Sequence, residues 1–324
     1  MNKLKLILWT EAVIIIALIA LLLPSYYGVK ETHCEKYLND DGSVCLLSPR
    51  VYTGMIPPKS HLIFNFEPLQ EEIQDYITTN ELNASLYVLN IRDGASFGIN
   101  ENNPYRALSL NKIPIAMIIL KKIDEGQFTL DTVLPIKAEL RDSRAGPLGK
   151  MPATELSVRE LIRYMLQESD NTATNILGSQ ATLGDLQEIA NYINYYEEDT
   201  PPYNKVFHIT PKSTANIFLS LYLSTALKPE DSLMILSYLT NTSFNIKKYA
   251  NLPSNIVIAQ KYGALFDDKY ETYFHSCGIM YIEDSRIFYC SMTEGMQQEQ
   301  AYNFTGMIVN KIYKFVIEGK SKKP

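Results

Sequence analysis

The stretches that read as strands come from both ends of this 324-residue chain, with helical text between them. "ASLYVLNIRDG" and "ASFGIN" read as a hairpin around Asp93-Gly94, and "NIVIAQKYG", "HSCGIMYI" and "RIFYCSM" read as three late strands. A sheet made of these strands closes only if early and late segments meet, so the helices between them must pack beside the sheet or form a lobe of their own. "PLQEEIQDYITTNEL" places Leu69, Ile73, Tyr76 and Ile77 on one face of a helix. A second stripe, Ile113, Ala116, Met117, Leu120 and Ile123, follows Ser109 and ends at Gly126. Ser157 and Glu160 form a capping-box pattern, and further helices are expected over 183–193, 212–227 and about 298–318. The expected class is α/β of the α+β kind, one compact unit over residues 67–324.

Residues 1–28 carry a different message. Lys3 leads into an apolar segment from Leu4 to Leu23 that is broken only by Lys5, Thr10 and Glu11, and its roughly 20 positions can just cross a hydrocarbon core of about 30 Å. "PSYYGVKETHC" offers no small-x-small cleavage site, so an uncleaved signal anchor with a cytoplasmic N-terminus is favoured over a removed signal peptide. Both readings export the rest of the chain, and residues 29–66, mixed in Pro, Gly and polar residues, suit a stalk. The expected location is therefore a membrane surface, with the folded domain outside the cytoplasm. With 46% hydrophobic residues and a formal charge of -6, the chain is neither disordered nor a nucleic-acid binder.

Four cysteines agree with an oxidising compartment. A tight turn at Glu283 and Asp284 sets Cys277 opposite Cys290 at a close cross-strand position, where either a disulfide or two reduced core cysteines would fit. Cys34 and Cys45 could close a small loop. No CxxC or His cluster points to zinc, and no cofactor is expected.

The chemistry-bearing residues come in three settings. In "YRALSLNKIPIAMIILKKI", Ser109 and Lys112 are three residues apart, close enough on a helix for a nucleophile and its base; an N-cap with a solvated lysine is the bland alternative. In "LQESDNTATNIL", Ser169, Asp170 and Asn171 lie between two helical runs and also have the composition of a helix cap. "VIAQKYGAL" puts Lys261 and Gly263 at a strand end.

In this order, SxxK, SDN and a Lys-x-Gly strand end, the residues resemble the active-site motifs of the class A β-lactamase and penicillin-binding protein superfamily. The resemblance extends over about Leu69 to Val316, through "INENNPYRALSLNKIPIAMIIL", "SVRELIRYMLQESDNTATNIL", "ITPKSTANIF" and "HSCGIMYIEDSRIFYCSMTEG". It implies a β-lactamase/transpeptidase-like fold with an antiparallel sheet and a serine acyl-enzyme mechanism without a metal. Ser109 would be acylated with Lys112 as proton acceptor, and Ser169 would pass a proton to the leaving nitrogen. Asn171 would hold the substrate amide, Lys261 would supply positive charge, and the backbone N–H groups of Ser109 and Ala264, beside Gly263, would form the oxyanion hole. The implied substrate is a small molecule, a β-lactam or a peptidoglycan stem peptide. Hydrolysis of the first is the leading expectation; a D,D-peptidase or other amidase or esterase, and a non-catalytic cell-wall binding domain, are the alternatives.

Two departures stand out. Tyr262 takes the place of the usual Thr or Ser in the third motif, which puts carboxylate recognition in question. The ExxLN string that carries the deacylating glutamate is also absent. In "NYYEEDTPPYNKVFHITP", Glu197 or Glu198 could supply that carboxylate from a remodelled loop, or they could be a solvated turn. His208 and His275 carry no motif and are read as structural.

Overall fold

The computed structural model describes residues 38–40, 42–48, 65–195, 208–267 and 271–321, with side chains as far as 318. Helix α1 (Glu67–Thr79) leads to the hairpin β1 (Ala84–Asn90) and β2 (Ser96–Ile99), and a short β3 (Tyr105–Arg106) runs into a 3-10 turn (Leu108–Asn111) and α2 (Lys112–Asp124). The middle holds β4 (Val133–Pro135), β5 (Glu155–Ser157), α3 (Val158–Gln167), α4 (Asn171–Gly178), α5 (Leu183–Ile193), β6 (His208–Ile209), α6 (Pro211–Tyr222), α7 (Pro229–Thr240) and α8 (Ile246–Ala250). The long strands β7 (Val257–Leu265), β8 (Tyr273–Ile282) and β9 (Ser285–Glu294) then precede α9 (Gln298–Ser321).

The main sheet has the order β2-β1-β9-β8-β7, and every neighbouring pair is antiparallel. Early and late strands therefore do meet, β1 pairing with β9 from Ala84↔Thr293 to Asn90↔Ile287. On one face, Leu69, Ile73 and Ile77 of α1 and Ile308, Ile312 and Val316 of α9 pack with Leu86, Val88 and Met280. On the other, Met117 and Leu120 of α2, Leu161 and Met165 of α3 and Phe218 of α6 pack with Ile279, Phe288 and the cysteine pair. Strand β8 is buried at every position, because it has a neighbour on each edge and a layer on each face. That is why its text does not alternate.

The last hairpin has the anticipated register, with Cys277↔Cys290 and Ile282↔Ser285, and the two cysteines are joined in a disulfide with Cα atoms 3.9 Å apart. Glu283 takes a positive φ of 45° in the turn. Cys45 is also disulfide-bonded, while Cys34 lies outside the described residues. The proposed anchor, 1–28, lies wholly outside them as well, and among the described residues no helix is long and apolar enough to cross a membrane.

Several local expectations are corrected. Tyr76 is 43% exposed and stacks on Phe304 instead of joining the buried stripe. The helix expected over 212–227 stops at Tyr222, and Ser224 at φ 48° turns the chain toward α7, whose Pro229, Glu230 and Asp231 are a strong helix start that periodicity alone did not single out. Ser157 does cap α3, accepting from the Glu160 N–H at 3.3 Å, but its hydroxyl faces the Glu160 carboxylate, so the pattern gives an N-cap without a reciprocal box.

Candidate active site

The first wall of the site is helical. Ser109 lies in the 3-10 turn one turn ahead of α2, and neither that turn nor α2 has a side-chain cap, so the N-cap reading of Ser109 does not hold. Leu108, the residue before it, has φ 47°, a conformation that costs a non-glycine residue of order 1 kcal/mol or more and persists only when its surroundings enforce it. The enforcing neighbour is β7: a Cβ on Gly263 would lie 2.9 Å from the Leu108 Cβ and 3.1 Å from the Ser109 nitrogen. Glycine at 263 thus lets a strand edge touch the backbone of the serine turn.

Lys112 is only 4% exposed. Its Nζ donates to the Ser169 carbonyl at 2.5 Å, to Asn171 Oδ1 at 2.8 Å and to Ser169 Oγ at 3.3 Å. Burial lowers its pKa to about 7, against the opposing pull of the Asp170 and Asp142 carboxylates. Asp170 is the N-cap of α4, accepting from the Ala173 N–H at 2.8 Å and the Leu148 N–H at 2.7 Å. Ser169, just before the cap, takes φ 53°, which turns its carbonyl and hydroxyl together onto Lys112. Asp142 hydrogen-bonds the Asn171 side chain and is held at about 2 chiefly by the Arg144 guanidinium.

The second wall is strand β7, one of the two edge strands of the sheet. Lys261 is 0% exposed; its Nζ donates to Ser169 Oγ at 2.8 Å and to the Tyr262 carbonyl at 3.1 Å. Burial first, and the charge of Lys112 second, push its pKa well below the usual lysine range, with no carboxylate among the described residues to offset them. The Tyr262 ring centroid sits 4.6 Å from the Lys261 Nζ, and the Tyr262 hydroxyl pairs with Ser243 Oγ at 3.1 Å.

Ser169 and Asn171 are thus gathered with Lys112 and Lys261, and Gly263 abuts the turn that carries Ser109. Among the described residues the Ser109 hydroxyl has no hydrogen-bond partner, Lys112 being turned to Ser169 and Asn171. Ala264 is exposed on β7 beside Gly263. Glu197 and Glu198 lie outside the described residues. His275 pairs with Gly263 across the sheet, fully buried, its Nε2 donating to the Arg106 carbonyl at 3.0 Å; burial lowers its pKa to about 4. His208 sits on β6 opposite Arg106. The sequence reading had assigned nothing to Leu108, Asp142 or Ser243. A left-handed leucine and a carboxylate brought in by tertiary packing leave no local signature, although the Asp-Ser-Arg of 142–144 is turn-like.

A family model described as the Beta-lactamase enzyme family matches residues 68–316. The chain belongs to that family. Similarity to individual family members is distant. A β-lactamase of Bacteroides uniformis is 31% identical over 105 residues, 31% of this chain and 35% of that protein, so the match spans about a third of that relative's length. The extended-spectrum β-lactamase PER-1 of Pseudomonas aeruginosa is 24% identical over 213 residues, 60% of this chain and 68% of that protein. Among solved structures, a PBP-A mutant in an acyl-enzyme complex with penicillin G superposes with a TM-score of 0.68 at 23% identity, covering 81% of this chain and 99% of that one. TLA-1 extended-spectrum β-lactamase gives 0.70 at 19% identity, with 78% and 100% covered. These superpositions establish the α+β fold of the family member described here.

Proposed function

We propose that the chain is an exported serine hydrolase that forms an acyl-enzyme on Ser109 and hydrolyses β-lactams. The observation that carries the reading is Ser169 Oγ, which accepts hydrogen bonds from both buried amines, Lys261 at 2.8 Å and Lys112 at 3.3 Å. With its acceptor sites engaged, the hydroxyl has its own proton left to give. In the reaction, Ser109 Oγ bonds to the carbonyl carbon while its proton passes to Lys112, whose pKa of about 7 suits a base near neutrality. The C–N bond then breaks and the nitrogen takes the Ser169 proton, which Lys112 replaces with the one it took from Ser109. The N–H groups of Ser109 and Ala264 would hold the oxyanion, a contribution of roughly 3 kcal/mol per donor. Membership of the β-lactamase family supports the substrate class. Lys3, Lys5 and the apolar stretch after them support a membrane anchor with the catalytic domain outside the cytoplasm.

A second reading, a penicillin-binding or D,D-peptidase role, is favoured by the missing ExxLN string and the likeness to PBP-A. Acylation would then outrun deacylation. Intact-mass spectrometry after mixing with penicillin G, followed over time, separates the two. A transient adduct with turnover of a chromogenic cephalosporin supports the hydrolase, and a stoichiometric lasting adduct supports the alternative. Glu197→Gln and Glu198→Gln, made singly, test the deacylation base: the true base, once removed, makes the adduct persist.

A further inference from the structure

We infer that Tyr262 sets the substrate class of this site, selecting acyl donors whose group against the β7 wall carries no charge. The inference rests on the acyl-transfer reading above. An anionic group here would need a cation to receive it. Lys261 is the cation of this wall, and it is closed off: its Nζ is engaged by Ser169 Oγ and the Tyr262 carbonyl, and the Tyr262 ring covers it at 4.6 Å. The cover is fixed in place. The ring packs on Phe244 at 5.2 Å between centroids, its hydroxyl is tied to Ser243, and Phe244 is itself wedged against Tyr249, Phe274 and Tyr302.

Across the cleft, the Lys112 Nζ is enclosed by Ser169 and Asn171, and the Arg144 guanidinium is bound to the Asp142 carboxylate. What the β7 edge offers a ligand is a pair of neutral hydroxyls, from Tyr262 and Ser243, which match an amide, ester or hydroxyl group better than a carboxylate. A threonine at 262 would leave the ammonium uncovered and the pocket edge open.

The test compares second-order acylation of Ser109 by penicillin G and by its methyl ester, which differ only in that charge. The protein is expected to acylate at least as fast with the ester. Tyr262→Thr should shift the acid-to-ester ratio toward the acid by about tenfold, the size of one charge-assisted hydrogen bond gained. Tyr262→Phe, which keeps the ring, should leave the ratio near that of the unmodified protein. A clear preference of the unmodified protein for the free acid overturns the inference, and that measurement needs no variant to fold. An unchanged ratio in a folded Tyr262→Thr protein overturns it as well. If neither penicillin acylates Ser109, the β-lactam reading falls on its own. The same ratio, with the same criteria, is then taken from an acyl-glycine thioester pair whose leaving group bears either a free or a methyl-esterified carboxylate.

Discussion

The two walls of the cleft each bury a lysine, and they treat it differently. In the helical wall Lys112 has three oxygen partners and two carboxylates, Asp170 and Asp142, that pull against the cost of burial, and its pKa settles at about 7. In the strand wall Lys261 has a hydroxyl, a carbonyl and an aromatic face but, among the described residues, no carboxylate, and burial and the Lys112 charge push its pKa well below the usual lysine range. Burial alone does not define a catalytic amine. Nearby anions help decide how far burial lowers its pKa. The resemblance gives Lys261 the task of supplying positive charge, and its Nζ also holds Ser169 Oγ at 2.8 Å.

The largest expected effect separates the two amines directly. Lys112→Ala should slow acylation about a thousandfold, within the range for loss of a general base, and Lys261→Ala about a hundredfold. Equal losses would break the division of labour. The pH profile sharpens it: acylation should rise with pH through about 7 as Lys112 loses its proton, and the rise should survive in Lys261→Ala and vanish in Lys112→Ala. Asp170→Asn keeps a competent cap but removes an anion that favours the ammonium form, so the inflection should move to lower pH. Both lysines take up protons more readily in the unfolded chain, so stability should rise with pH from about 7 toward the ordinary lysine value of 10.5, and Lys112→Met should flatten that rise.

Smaller effects compare how the walls are braced. The strands behind β7 are pinned by Cys277–Cys290, whose removal as a double serine variant should cost about 3 kcal/mol in a denaturant titration. Ser157→Ala, which removes the cap of α3 in the helical lobe, should cost about 1 kcal/mol.

The difference between the walls also explains how much could be read in advance. Ser109, Lys112, Ser169, Asn171 and Lys261 were legible because each sits in its own local setting, a helix start, an inter-helix turn or a strand end, and the order of these settings is preserved. The register of the last hairpin was legible because a two-residue turn leaves one pairing. Less was legible where tertiary contacts rule. Tyr76 looks apolar by spacing yet faces solvent at the helix margin. The left-handed turns at Leu108 and Ser169 are imposed by close packing, Gly263 against the first and the paired amines around the second, and no residue type announces them.

The pairing of β1 with β9 has a consequence in time. As the polypeptide leaves the ribosome, every residue assigned a part in acyl transfer has emerged before β9, which bears none of them, yet β1 and β8 have no strand between them until it arrives. The site is thus completed by a late, chemically silent segment, and such long-range closure is slow. A nascent chain of this design lacks the joined sheet until β9 has emerged, and a truncation ahead of residue 285 would keep the reactive groups while leaving the β7–β8 hairpin detached from β1.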